Sequence, residues 1–89
     1  MKEIIISQHA KDQLQDRGAS KDEVERAVRE GEPAPAKRGR MAFRKNFLFD
    51  SVWKEKYYKI KQVMPIVVAE DDRWVVVTVY VFYFGGDNL

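Results

Sequence analysis

Hydrophobic positions along the 89-residue chain change their spacing several times, and each change marks an element. Residues 2–6, KEIII, read as a short strand. From Ser7 the period turns helical. Ala10 and Leu14 stand four apart, Ser7 suits an N-cap whose hydroxyl accepts from a free backbone N–H, and Gly18 suits the left-handed residue closing a helix over Gln8–Arg17. Ser20 opens a second helix, and Glu23 three residues on completes a reciprocal cap. Val24, Ala27 and Val28 form the buried stripe of that helix, and Gly31 ends it.

The next segment, GEPAPAKRGR, holds two prolines and two glycines around a basic run and reads as a loop. Strict alternation begins at Met41. Met41, Phe43, Lys45, Phe47 and Phe49 point one way; Ala42, Arg44, Asn46 and Leu48 point the other. A turn within DSVWKEKYY leads to a second strand over Tyr57–Ala69, where Pro65 implies an irregularity or an edge position. EDDR is a hairpin turn, and Arg73–Phe84 is a long strand dense in valine and aromatic residues. On that strand Val75, Val77, Val79, Val81 and Tyr83 share one face, expected to pack on the helices. Trp74, Val76, Thr78, Tyr80, Phe82 and Phe84 share the other, which is left open with two hydroxyls among rings. GGDNL follows as a tail. The pattern predicts an α+β fold: a short N-terminal strand, then two helices packed on an antiparallel sheet of three to four strands, in one domain spanning residues 1–89.

Composition changes this picture in two ways. There is no cysteine, so neither disulfides nor a thiolate nucleophile enter, and a reducing cytoplasm is the expected location. MKEIIISQHA does not resemble a secretory leader, and the most apolar run, Trp74 to Phe84, falls short of the roughly 20 residues a membrane helix needs, so no membrane partner is expected. Charge matters more. The net value of +2 conceals −2 over residues 1–32, +7 over 33–62 and −3 over 63–89. A basic middle third is the footprint of a polyanion such as nucleic acid, or else a solvated sheet edge.

His9, the single histidine, is expected in the first turn of its helix, where unpaired N–H groups attract phosphate and an imidazole can exchange protons near neutral pH. Gln13 and Arg17 follow at i+4 and i+8 on the same side. That stripe suits phosphodiester chemistry, and it equally suits a helix-start histidine that bonds a neighbour and an arginine that stabilises a helix C-terminus. One histidine without cysteine argues against a metal site, no Gly-rich phosphate loop has the right spacing, and no cofactor is expected. Trp53, Tyr57 and Tyr58 interleave with Lys54, Lys56, Lys59 and Lys61, a mixture able to stack bases and hold phosphates or to serve as amphipathic sheet surface.

The segment SQHAKDQLQDRGASKDEVERAVREGE, together with VVTVY at Val76–Tyr80, resembles a family of small bacterial proteins of unknown function. That family's pattern is a strand, then S-x-H-A-x-x-R-M-x-x-R-G-I-S, a second helix and a Gly-Glu pair. His9 and Arg17 match it; Gln13 and Leu14 stand in place of Arg-Met, and Ala19 in place of Ile. The family in turn resembles the RelE, ParE and BrnT toxins, several of which cut RNA without metal. The resemblance implies a toxin of a toxin–antitoxin pair, with RNA as target and a cognate antitoxin as partner. On this reading a metal-independent endoribonuclease would use His9 as acid/base, Tyr80 as its partner and Arg17 to hold the phosphate. Arg44, Lys59, Lys61 and Thr78 would contact RNA. The alternative is a non-enzymatic binding module whose open sheet face takes a protein partner or a second copy, making a homodimer.

Overall fold

The computed structural model describes residues 2–86. Strand β1 (Glu3–Ile6) leads into helices α1 (Gln8–Arg17) and α2 (Lys21–Glu30). A short strand β2 (Glu32–Pro35), a tight turn at Lys37–Gly39 and three long strands follow: β3 (Met41–Trp53), β4 (Lys56–Glu70) and β5 (Arg73–Phe84). The fold is α+β, as the pattern predicted, but the sheet has five strands in the order β1-β5-β4-β3-β2 instead of three to four. It is also mixed, because β1 runs parallel to β5 while every other pair is antiparallel.

Both helices begin and end as their caps dictate. Ser7 accepts from the Ala10 N–H, and Gly18 closes α1 at φ 76°. Ser20 and Glu23 cap each other's N–H groups at the start of α2. Val24, Ala27 and Val28 of α2 pack with Ile6 and Ala10 onto Phe43, Val63, Val67, Val76 and Val79 of the sheet.

The extra strand β2 lies in the segment read as a loop. Pro33 and Pro35 pair with Phe43 and Met41 at the edge of the sheet. An edge strand bonds its neighbour through every second N–H, so two prolines spaced by two are tolerated there with both nitrogens turned outward. Proline composition suggested a loop; proline spacing permitted a strand. Pro65 goes the other way. It is fully buried in β4, the central strand, and marks an irregularity rather than an edge. The β3–β4 ladder passes from Ala42↔Ile66 to Lys45↔Val63 across it, and the β4–β5 register shifts beside it.

That shift corrects the expected faces of β5. Ile66 pairs with Thr78 but Val67 pairs with Val76, so Val77 is an extra residue, a bulge. Strict alternation cannot survive one inserted residue. Before the bulge Val76 is buried and Trp74 packs against the core, where Val75 and Val77 were expected. After it Val79 is buried and Val81 packs against it, as expected.

A second bulge lies in β3, between Leu48 and Ser51, where Asp50 takes φ 45° and its carboxylate accepts from the Tyr57 hydroxyl. The hairpin tip beyond it bends back onto the end of α1. Trp53 stacks on Tyr83 at 5.2 Å, and a Cβ on Gly18 would fall 2.5 Å from the Tyr83 hydroxyl and 2.7 Å from the Trp53 ring. Glycine at position 18 is thus required by its positive φ and by this approach. The tail expected at Gly85–Leu89 lies outside the described residues beyond Gly86.

Candidate nucleic-acid groove on the open face

The helices cover one face of the sheet and leave the other open. Registers set that open face out in rows. Ala34, Ala42, Ile66 and Thr78 align across four strands. One step along, Arg44 pairs with Glu32 and Met64 with Tyr80; then come Asn46, Gln62 and Phe82, and finally Leu48, Ile60 and Phe84.

A groove of about 590 Å³ lies over the first two rows, with Ala42, Met64 and Ile66 as its apolar floor. Lys37, Arg38, Arg40 and Arg44 line one side, and Thr78 and Tyr80 the other. The cations converge because the β2–β3 connection is tight. Arg38 and Gly39 both take left-handed backbone angles, φ 62° and 71°, and the chain reverses so that the Ala36 N–H donates to the Arg40 carbonyl at 2.9 Å. Arg44 pairs with Glu32, whereas Lys37, Arg38 and Arg40 make no ion pair among the described residues. The result is positive charge at the rim of an apolar trough, facing two hydroxyls.

On the far side of the groove, α1 lies along the free edge of β5. Strand β1 pairs with β5 only as far as Val76. Beyond that point α1 supplies the missing hydrogen bonds. The Ser7 N–H donates to the Val76 carbonyl at 3.0 Å. Gln13 Oε1 accepts from the Val79 N–H and from the Thr78 hydroxyl, both at 2.8 Å. Arg17 Nη1 donates to the Val79 carbonyl at 2.6 Å, and its guanidinium lies 5.4 Å from the centre of the Tyr80 ring. Tyr80 also borders a smaller hollow of about 210 Å³ lined by Asp16, Arg17, Trp53 and Lys54.

The residues singled out from the sequence fall into three places. Arg44, Thr78 and Tyr80 come together in the groove. Arg17 stands beside Tyr80 but spends one guanidinium nitrogen on the sheet edge. His9 is exposed one helical turn before Gln13, on the same side of α1, with no hydrogen-bonded side-chain partner among the described residues. Lys61 is set apart from all of these. It is 7% exposed on the helix-covered face, where its ammonium donates to the Gly18 carbonyl at 2.9 Å and meets Glu23 at 2.8 Å. Lys59 is exposed two residues back along β4, away from the groove.

Two contributors were under-read in the sequence. The KRGR run announced charge but not where the turn would aim it, and Gln13 counted only as an amide on the stripe. The Tyr83 phenol, pushed up to about 12 by burial and then by the Glu23 charge, donates to the Arg17 carbonyl and anchors the α1–α2 junction outside the groove. Among the described residues, no group of three or more metal-ligating side chains stands together, and no helix is long and apolar enough to cross a membrane.

A family model for a domain of unknown function, DUF4258, matches residues 6–81. The chain belongs to that family. The match begins at the last residue of β1 and takes in both helices, the β2–β3 connection and β5 through Val81, so every groove residue lies within the DUF4258 domain. No curated protein and no solved structure matches the chain.

Proposed function

We propose that this DUF4258 domain is a toxin-like, RNA-directed protein that holds a phosphodiester backbone in the open-face groove and cleaves it without metal, in the manner implied by its likeness to RelE- and BrnT-type toxins. The observation that carries this reading is the convergence of Lys37, Arg38, Arg40 and Arg44 opposite the Thr78 and Tyr80 hydroxyls. The chemistry asks for four things: a 2′-hydroxyl attacking its adjacent phosphorus, a group to take its proton, another to protonate the departing 5′-oxygen, and cations to stabilise the charge between. Tyr80 and His9 are the proton-transfer candidates and the rim arginines the stabilisers. Arg17, 5.4 Å from the Tyr80 ring, adds positive charge at that wall. An antitoxin would act by covering the groove.

Purified protein incubated with single-stranded RNA in chelator should release fragments ending in 2′,3′-cyclic phosphate, and Tyr80→Phe and His9→Ala should each reduce that release. RNA that is bound yet stays intact would remove the catalytic half of the proposal. A second reading, a non-enzymatic binding module, rests on the other end of the same face. Leu48 is 74% exposed, and Phe82 and Phe84 are exposed beside it, apolar surface of the kind that protein partners or a second copy bury.

A further inference from the structure

Hydrogen-bond directions around Thr78 impose a selectivity on the groove. The Val79 backbone N–H can only donate, so the Gln13 side-chain atom 2.8 Å from it is the amide oxygen, not the nitrogen. That oxygen can only accept. The Thr78 hydroxyl, 2.8 Å from the same atom, must therefore donate its one proton to Gln13. What Thr78 has left to offer is lone pairs, and it stands on the groove wall. Its partner there must be a donor. The neighbouring lining is rich in donors, from Lys37, Arg38, Arg40 and Arg44, which suit phosphate oxygens. Thr78 adds an obligate acceptor to this cationic lining.

We infer that Thr78 reads the ribose 2′-hydroxyl as a hydrogen-bond donor, making the groove selective for RNA over DNA, with Gln13 as the positioning residue that fixes the direction of the bond. A 2′-hydroxyl sits one bond from the sugar ring of a backbone whose phosphates the rim arginines hold, and it is the group that distinguishes the two nucleic acids. Thr78 stands on the groove side just past the bulge at Val77, with its hydroxyl within reach of α1 around the strand edge. Gln13 is also the position at which this chain departs from the arginine of the S-x-H-A-x-x-R-M pattern. An arginine could not accept from Thr78 or from the Val79 N–H, so the acceptor character of the wall belongs to this chain's own glutamine.

The inference rests on the proposed RNA-binding groove, and the test separates the two. Binding of one single-stranded sequence is measured by fluorescence anisotropy in chelator as RNA, as DNA and as 2′-O-methyl RNA, with gels confirming intact strands. The methylated strand keeps the ribose oxygen but carries a methyl group in place of the donor hydrogen, and the DNA strand lacks the oxygen altogether. RNA should bind roughly 3- to 10-fold more tightly than either of the others, the span of one hydrogen bond. Thr78→Val, which keeps the shape, should remove that preference, so that RNA and DNA bind alike; Thr78→Ser should retain it. Gln13→Glu, still an acceptor, should retain it too. Equal binding of the three strands overturns the inference and leaves the groove reading standing. An RNA preference that survives Thr78→Val also overturns it. Binding of none of the strands at low salt overturns the groove and the inference together.

Discussion

On the helix-covered face, Lys61 gives up its hydration for a carbonyl at 2.9 Å and a carboxylate at 2.8 Å, and it ties the α1–α2 junction to the middle of the sheet. On the open face, Lys37 and Arg38 are exposed and Arg40 half-buried, and none of the three has an ionic partner among the described residues. Both sets come from the same basic third of the chain. Their energetic roles are opposite. Desolvating an ammonium costs several kcal/mol unless its partners are in place, so Lys61 is bound to the fold. The rim cations cost the fold little and stay available to an anion. A count of positive charges along the sequence cannot tell these apart; the parity of a strand position and the neighbour across the sheet can.

The largest effect that would sharpen the contrast is the loss of Lys61. Lys61→Ala should cost roughly 3 kcal/mol in denaturant unfolding, because the Glu23 carboxylate and the Gly18 carbonyl lose their partner in a largely buried site. Lys59→Ala, on the exposed part of the same strand, should change stability by less than about 0.5 kcal/mol. Equal losses at the two lysines would erase the distinction. Next comes the bulge. Val76→Ala should cost about 1–3 kcal/mol and Val75→Ala clearly less, the reverse of what uninterrupted alternation from Val79 would require.

A smaller effect is set by pH. The Tyr83 phenol is raised from its ordinary value near 10 to about 12, so the folded state holds that proton more tightly than the unfolded chain. Its contribution is complete below pH 10, where both states are protonated, and falls as pH rises from 10 toward 12. Urea midpoints measured across that window should decline, and Tyr83→Phe should flatten the decline attributable to this site. The smallest effect on the fold falls at the groove rim. Arg38→Ala and Arg40→Ala should leave unfolding within about 0.5 kcal/mol of the parent. Each should nonetheless lower the slope of log affinity for RNA against log salt by about 1, one phosphate contact apiece. A rim variant that unfolds the protein would show the open face to be structural after all.

Local chemistry explains why some of this was readable beforehand. Both helices could be drawn to the residue, because Ser7, Gly18, Ser20 and Glu23 act within one turn of where they stand. The alternation of β3 was equally plain up to Phe49. The fifth strand was hidden because Pro33 and Pro35 forbid most strands and are allowed at the one edge that the rest of the sheet creates. The inverted first half of β5 was hidden because a bulge depends on the partner strand, here on Pro65 and the shift beside it. At the site, Thr78, Tyr80 and Arg44 were recognisable as side chains on an open face. The separation of Lys61 was not, since it depends on where Glu23 and Gly18 arrive once the helices dock. The role of Gln13 needed the strand edge that α1 covers.

The two prolines of β2 have a further consequence, for growth of the sheet itself. A sheet lengthens into a fibre only when each copy offers two edges, one to give and one to receive. At β2 the outward positions of Pro33 and Pro35 carry no N–H, and the strand spans four residues. At the opposite side Ser7, Gln13 and Arg17 cover the edge of β5 from Val76 as far as Val79, and β1, the outermost strand there, is also only four residues long. The two ends of the sheet thus present short strands, one of them without N–H donors on its outer side, a poor template for the edge-to-edge pairing by which an open sheet would polymerise.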